Sequence, residues 1–155
     1  MAIIVCRIAE VCVFRFVKDR PSYLMLKRSP GEKIYPNLWQ FVTGSIVDGE
    51  RALDAALREL KEETGLSPER FWVVPHVSTF YDPEYDAVNV SPLFAAQVGS
   101  GSEPKLSAEH SAYEWLPFDE ARRRLVWPGQ RTGLDVVEQY ILGGEEAGPL
   151  TLIQA

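Results

Sequence analysis

Apolar residues along the chain group into short strand-like runs and a smaller number of helical stretches. Residues 3–17 are rich in Ile, Val and Phe and predict one strand or a bent pair of strands. A turn at 18–22, a strand at 23–29, a loop at 30–37 and an extended segment at 38–44 are expected next. Later strand-like segments are expected at three places, namely 71–81, 89–98 and the strand end at 114–117.

One strong amphipathic helix is predicted from about Glu50 to Thr64. Asp48 or Gly49 can begin it, and Gly65 suits the position just after its end. Its apolar positions have the spacing of a single buried helical face, and they are Leu53, Ala56, Leu57, Leu60 and Thr64. At about 100° per residue, Glu59 and Glu63 lie beside this apolar face, at the rim of a cleft, and Glu62 lies further round.

The remaining helices are expected near the carboxyl end. Residues 118–125 predict a short helix that Asp119 can cap, and residues 132–142 predict a last helix that ends before two glycines. The pattern as a whole predicts an α/β fold, a sandwich with a mixed β-sheet. We expect one domain over residues 1–155, with 145–155 as a loosely held tail.

Composition narrows the functional class. The chain has 155 residues, 46% of them hydrophobic, and a formal net charge of -6. This charge argues against a general nucleic-acid binder, and no apolar run approaches the length of a membrane span. Two cysteines without metal-ligand partners, Cys6 and Cys12, predict buried reduced thiols and a cytoplasmic location.

The stretch RELKEETG at 58–65 places three carboxylates, Glu59, Glu62 and Glu63, within about one helical turn. Like charges four residues apart cost about 0.2–0.5 kcal/mol. One interpretation is a solvated helix face whose repulsion Arg58 and Lys61 reduce. The other is that a divalent cation lies between the carboxylates.

A longer motif favours the cation. Gly44 is followed after five residues by Glu50, and after seven more by Arg58-Glu59-Leu60, any residue, Glu62-Glu63, any residue and Gly65-Leu66. This pattern resembles the Nudix box at every fixed position. The resemblance implies a Nudix α/β/α sandwich and a hydrolase that cleaves a diphosphate linkage by attack of water on phosphorus.

The resemblance also implies site residues. Glu59 and Glu63 would be the principal ligands of Mg²⁺ or Mn²⁺, with Glu62 and the Gly44 carbonyl as further ligands. Arg58 would orient a glutamate. Glu50 would support these ligands or bind an additional metal.

Residues outside the box are similar to the branch that contains dihydroneopterin triphosphate pyrophosphatase, through Glu109-His110, Trp115-Leu116 and Trp127-Pro128. On that resemblance Glu109 is a distal metal ligand or general base, whereas His110 is more often structural. Where the branch often has Asn-Arg after the Trp, this chain has Gln130-Arg131.

Substrate contacts are expected from Lys27 or Arg28 with a phosphate, and from an aromatic ring with the base. Trp127 is preferred over Trp39, Phe80, Tyr81 and Tyr85, because it begins a loop-rich segment.

We therefore expect a Mg²⁺-dependent pyrophosphohydrolase acting on a small (deoxy)nucleoside or dihydroneopterin triphosphate, with neither nucleic acid nor a membrane as partner. One alternative is diadenosine tetraphosphate hydrolysis. A Nudix-fold sensor without catalysis is the other alternative, although such domains usually lose the glutamates that this chain retains.

Overall fold

A single mixed β-sheet forms the centre of the protein in the computed structural model, which describes residues 1–143 and 147–154. Its nine strands in the described residues are β1 (Ile3–Val5), β2 (Ile8–Val17), β3 (Arg20–Arg28), β4 (Trp39–Gln40), β5 (Val42–Ser45), β6 (Arg70–Asp82), β7 (Ala87–Gln97), β8 (His110–Leu116) and β9 (Leu152–Gln154). The helices are α1 (Ala52–Thr64), α2 (Phe118–Arg124), α3 (Pro128–Val136) and α4 (Ala147–Thr151), and a π-helical segment, Val137–Leu142, continues α3. The predicted α/β class with a mixed sheet is confirmed.

The sheet is mixed because β7 pairs in parallel with β1 and β2, whereas the remaining pairings are antiparallel. The strand order is β4-β3-β2-β7-β6-β9, with β5 paired to β2 and β8 to β3. The register of β6 against β7 shifts between Val73 and Val77, around Pro75. Proline cannot donate to a strand ladder, so an irregularity is expected there.

Two buried clusters lie on opposite faces of the sheet, because successive side chains of a strand point to opposite sides. One cluster joins Val11, Val13 and Leu24 to Leu60 of α1. The other joins Cys12 and Phe14 to the α2–α3 side of the sheet, including Ala121, Leu134 and Val137. Helices therefore cover both faces, which is the predicted α/β/α sandwich.

The predicted amphipathic helix is present as α1, two residues shorter at its start than expected. Arg51, rather than Asp48 or Gly49, occupies the N-cap position and makes no side-chain capping hydrogen bond. Gly65 follows the helix with φ 71°, and its N–H donates to the Lys61 carbonyl at 2.8 Å. Glycine suits this left-handed conformation.

Several predicted boundaries were wrong near the carboxyl end. Asp119 does not cap α2, since Pro117 stands at its N-cap position. The segment that begins at Trp127 was expected to be a loop, but α3 starts at Pro128. Proline is favoured at the first helical position, where its missing N–H costs nothing.

The tail was expected to be loosely held, but part of it is ordered against the sheet. β9 pairs with β6, with Leu152 opposite Trp72. Residues 145, 146 and 155 of that predicted tail, and residue 144 before it, lie outside the described residues. Cys12 is buried as predicted, whereas Cys6 lies between β1 and β2 and is exposed. No helix in the described ranges is long and apolar enough to cross a membrane.

Candidate functional site

The centre of the site is the contact between β5 and the middle of α1. Gly44 in β5 approaches Glu59 so closely that a β-carbon at residue 44 would lie 2.0 Å from Cγ of Glu59 and 2.5 Å from its Oε2. Real atoms cannot overlap in this way, so the position requires glycine. The carboxylate of Glu59 therefore lies against the backbone of Gly44.

Arg58 connects the acidic side chains on the open side of this contact. Its guanidinium donates to both carboxylate oxygens of Glu50, at 2.8 and 3.0 Å, and to Oε1 of Glu59 at 2.8 Å. It also donates to Oε2 of Glu62 at 3.1 Å and to the Ser45 carbonyl at 2.8 Å. The hydrogen bonds that Arg58 donates to Glu50, and then the one from Val47 N–H, lower the pKa of Glu50. Arg58 thus holds Glu50 and Glu59 by direct hydrogen bonds, and its role in orienting a glutamate for catalysis stays a prediction.

Glu63 is more deeply placed than the helical pattern predicted. Its side chain was expected at the rim of a cleft, but Glu63 is only 2% exposed. Neither carboxylate oxygen has a hydrogen-bond partner in the described residues. Burial chiefly, together with the charges of Glu59 and Glu109, raises the pKa of Glu63 to about 9. Thr43 N–H lies near enough to oppose this shift slightly, although it forms no hydrogen bond of normal geometry.

Glu59 lies in the same electrostatic environment. Burial raises the pKa of Glu59, and the charges of Glu62 and Glu109 act in the same direction, whereas Arg58 lowers it. Glu62 is the most exposed of the three box glutamates on α1, with 59% of its side chain accessible. Glu59 and Glu62 each pair with Arg58, so Glu63 is the box glutamate on α1 whose carboxylate lacks a hydrogen-bond partner in the described residues.

Glu109 reaches the site from a distant loop that packs on the carboxyl end of α1. Lys105 N–H donates to the Thr64 carbonyl at 2.8 Å, and Ser107 N–H donates to the Glu63 carbonyl at 3.3 Å. Ser29 N–H, just after β3, donates to the Glu109 carbonyl at 2.9 Å. These backbone contacts hold Glu109 close enough to raise the pKa of Glu63.

The donor set fits a hard divalent cation, which prefers carboxylate and carbonyl oxygens. The buried and unpartnered oxygens of Glu63 are the strongest sign, because a buried carboxylate without a partner is costly. In the described part of the chain, no group of three or more His, Cys, Asp or Glu side chains is already arranged to hold a metal ion. Arg58 contacts only Oε1 of Glu59 and Oε2 of Glu62, so the second oxygen of each carboxylate is left for a cation while these ion pairs persist.

His110 is buried and structural in character. Its ring lies 3.3 Å from the Gln40 side-chain nitrogen, and burial lowers its pKa.

The two basic residues predicted to contact phosphate lie at the end of β3. Arg28 donates to the Ile34 carbonyl at 2.9 Å and pairs with Glu32, so its charge holds the 29–38 loop. Lys27 lies over the Trp39 ring, with its Nζ 6.0 Å from the ring centroid.

Trp127 lies at the start of α3 and remains 40% exposed. Its ring meets that of Tyr35 edge-on, with centroids 4.9 Å apart. Tyr35 comes from the 29–38 loop and is itself 55% exposed. The two rings form an accessible aromatic pair, and Tyr35 was not among the aromatic residues that the sequence suggested. By contrast, Trp39 is partly buried against the α2–α3 cluster.

Sequence reasoning also missed a buried polar pair. Gln130 of α3 donates from Nε2 to Oε2 of Glu10 in β2 at 2.6 Å. Both residues are 7% exposed. Burial raises the pKa of Glu10, and the hydrogen bond from Gln130 lowers it. The available signal was Glu10 itself, a single acidic residue inside the otherwise apolar run IAEVCVF.

Comparison with known proteins identifies the fold family. The NUDIX domain model matches residues 7–136, which is most of the chain. This chain belongs to the NUDIX family. The predicted family is therefore confirmed, and the NUDIX box is the segment that contributes Gly44, Glu59 and Glu63 to the site.

Curated relatives of this NUDIX chain differ widely in activity. An octanoyltransferase of Myxococcus xanthus is 34% identical over 132 residues, which cover 81% of this chain but only 34% of that protein. The RNA pyrophosphohydrolase of Agrobacterium fabrum is 33% identical over 62% of this chain and 66% of its own length. The dihydroneopterin triphosphate diphosphatase of Escherichia coli K12 is 29% identical over 71% of this chain and 78% of its own.

Solved structures agree with the NUDIX fold. A Caenorhabditis elegans Ap4A hydrolase binary complex superimposes with a TM-score of 0.74 at 20% identity, over 90% of this chain and 99% of that one. The E. coli dihydroneopterin triphosphate pyrophosphohydrolase gives a TM-score of 0.68 at 24% identity, over 87% and 95% of the two chains. At these identities the likeness concerns the fold alone.

Proposed function

We propose that this protein is a Mg²⁺-dependent pyrophosphohydrolase that cleaves a (deoxy)nucleoside or dihydroneopterin triphosphate into a monophosphate and pyrophosphate. The observation that carries the proposal is the buried carboxylate of Glu63, which has no hydrogen-bond partner in the described residues and lies beside Glu59 and Glu109. A carboxylate group of this kind is stabilised by a cation. The E. coli relative named for dihydroneopterin triphosphate supports the substrate class.

Glu59, Glu63 and the Gly44 carbonyl would hold Mg²⁺ or Mn²⁺, with Glu62 and Glu109 as further carboxylates. When bound, the metal neutralises phosphate oxygens and lowers the pKa of water. Arg58 keeps Glu59 in position through the hydrogen bond at 2.8 Å. Trp127 is proposed to stack on the ring of the substrate, and Lys27 to contact a phosphate.

Glu109 is proposed as the general base. It would accept a proton from the attacking water as the water oxygen bonds to phosphorus and the bridging phosphorus–oxygen bond breaks. Glu109 lies on a loop whose backbone is hydrogen-bonded to the end of α1 and to Ser29 after β3. The loop therefore brings Glu109 to the site from outside the helix that carries the other carboxylates. Glu63 and Glu59 then remain available as ligands.

Diadenosine tetraphosphate hydrolysis is a second candidate. The asymmetrical bis(5'-nucleosyl)-tetraphosphatase of C. elegans is 25% identical over 76% of this chain and 83% of its own. The two candidates differ in their products, because hydrolysis of the dinucleotide yields ATP and AMP rather than pyrophosphate.

Product analysis of the purified protein with Mg²⁺ separates these possibilities. The substrates would be dihydroneopterin triphosphate, the common nucleoside and deoxynucleoside triphosphates, and diadenosine tetraphosphate, with Glu63→Gln as the inactive control. Pyrophosphate release from a triphosphate that the control does not catalyse is the expected result. ATP and AMP from the dinucleotide would favour the second candidate. Absence of turnover with every compound would contradict the enzymatic proposal and favour a sensor.

A further inference from the structure

The buried pair formed by Glu10 and Gln130 has hydrogen-bonding capacity that the protein does not use. Gln130 Nε2 donates to Glu10 at 2.6 Å, but Gln130 Oε1 is buried and has no hydrogen-bond partner in the described residues. Buried amide oxygens are normally satisfied, so one without a donor requires an explanation. A carboxylate can also accept more than one hydrogen bond. The pair therefore offers two neighbouring acceptors.

The pair is connected to the strand that carries Gly44 through Glu10 and to Trp127 through Gln130. In the antiparallel pairing of β2 with β5, Glu10 is directly opposite Thr43, and the next residue along β5 is Gly44. Gln130 follows Trp127 by three residues, and its N–H donates to the Trp127 carbonyl at 3.1 Å. Trp127 occupies the N-cap position of α3, so Gln130 lies in the first helical turn after it. A ring stacked on Trp127 would thus meet Gln130 and Glu10, while its phosphates extend towards Gly44.

We propose that Glu10 and Gln130 read the edge of the substrate ring and select a 2-amino-4-oxopyrimidine, the edge that guanine and pterins share. The inference rests on the proposed function. That edge carries two adjacent donors, the exocyclic amino group and a ring N–H. The amino group matches the amide oxygen of Gln130, and the ring N–H matches the carboxylate of Glu10. Adenine and cytosine place one donor beside an acceptor, and thymine and uracil place one N–H between two carbonyls, so each would leave an acceptor unpaired.

The two residues have different roles in this proposal. Gln130 is the specificity-determining residue, since its oxygen has no other donor among the described residues. Glu10 both receives one ring N–H and holds the amide of Gln130 in its orientation. The burial that disfavours the charged form of Glu10 also makes additional N–H donors to it more favourable.

The test compares ligands that differ by one amino group. Hypoxanthine retains the ring N–H of guanine but lacks the 2-amino group, so dGMP and dIMP form a matched pair. Binding of each is measured by titration calorimetry, and hydrolysis of dGTP and dITP by pyrophosphate release. Wild-type protein is expected to bind dGMP about tenfold more tightly than dIMP. Gln130→Met is expected to weaken dGMP binding about tenfold and leave dIMP nearly unchanged, which brings the ratio close to one.

Two further variants serve as a matched control and as a second test of the pair. Gln139→Met makes the same chemical change at an exposed position of the π-helical segment and should retain the wild-type ratio. Glu10→Gln keeps the side-chain shape but replaces an acceptor by a donor, so it should also remove the preference. Each variant is first checked for wild-type thermal unfolding, and Glu10→Gln serves if Gln130→Met does not fold.

The outcomes also separate this inference from the proposed function. No dGMP binding, equal wild-type binding of the two monophosphates, or equal weakening of both by Gln130→Met would overturn the inference even if triphosphates are hydrolysed. Preferential dGMP binding that Gln130→Met abolishes would uphold it. If such a preference occurs without pyrophosphate release from any triphosphate, the ring-reading role stands and the proposed reaction fails.

Discussion

Gly44 and Glu59 share a space that has no room for a side chain at residue 44. A β-carbon there would lie 2.0 Å from Cγ and 2.1 Å from Cδ of Glu59. The contact joins strand β5 to helix α1 and brings a backbone carbonyl and a carboxylate into the same small region. The proposed metal site therefore depends on how closely the Gly44 backbone approaches the Glu59 side chain.

Gly44→Ala should displace Glu59 and lower kcat/KM at least about 100-fold, because small misplacements of catalytic groups are costly. Steady-state pyrophosphate release measures this effect. Gly31→Ala is the matched control, since a β-carbon at Gly31 meets nothing within 4 Å and its activity should be unchanged. If Gly44→Ala keeps more than half of the wild-type kcat/KM, the close contact has no catalytic importance.

Glu63→Gln should lower kcat at least about 100-fold and abolish the increase in melting temperature that Mg²⁺ produces in the wild-type protein. The amide retains the size of the side chain but removes the charge that a cation requires. Activity assays together with thermal unfolding at several Mg²⁺ concentrations test both effects. If Mg²⁺ raises the melting temperature of the variant as much as that of the wild type, Glu63 is not a ligand.

The stability of the metal-free protein should depend on pH through Glu63. Its pKa is about 9 in the folded protein and 4.5 in the unfolded reference, so the folded state retains a proton that the unfolded state loses. The stabilising effect is complete below pH 4.5 and is lost as pH rises through about 9. Urea unfolding in EDTA should therefore show the wild type losing stability relative to Glu63→Gln across that range. At pH 8 the variant should be the more stable protein, because each pH unit between 4.5 and 9 lowers the wild-type free energy of unfolding by up to about 1.4 kcal/mol.

Mg²⁺ should reverse this dependence on pH. A cation favours the ionised carboxylate, so its binding should release protons and tighten as pH rises from about 5 to 9. Calorimetric titrations of Mg²⁺ in buffers of different ionisation enthalpy count the protons released. Binding that does not vary with pH, or that releases no proton, would show that Glu63 is not deprotonated by the metal.

Arg58→Lys should separate charge from geometry. Lysine keeps the positive charge but cannot make the five guanidinium contacts with Glu50, Glu59, Glu62 and the Ser45 carbonyl. Stability should fall by about 1 kcal/mol, because solvent screens these partly exposed pairs. The activity should fall about tenfold through misorientation of Glu59. Arg51→Lys, at an exposed pair with Asp54, is the control and should leave stability and activity close to those of the wild type.

Glu109→Gln should lower kcat by about 10²–10⁴-fold and leave substrate affinity within about threefold, as expected for a general base. Stopped-flow binding and single-turnover measurements distinguish the two quantities. Glu120→Gln, on the exposed side of α2, is the control. A wild-type rate in Glu109→Gln would show that another group accepts the proton.

Much of the helix that carries the site was predictable because its information is local. The apolar spacing and the glycine after Thr64 predicted α1, and the fixed spacing from Gly44 to Gly65 predicted the family and the glutamates. The loop around Tyr35 and the turn before β3 were also indicated by their residue types. Periodicity was less reliable for the rotation of α1, since it placed Glu63 at a rim where the structure buries it completely.

By itself, the sequence determined the family, the α/β class and the position of the box glutamates along α1. Tertiary structure alone decided that Glu63 is buried, that Tyr35 meets Trp127, and that Gln130 pairs with Glu10 across 120 residues. The physical reason is that such contacts depend on strand register and helix packing, which no local pattern encodes. Whether a carboxylate is buried or solvated, and so how far its pKa moves, follows from those same packing decisions.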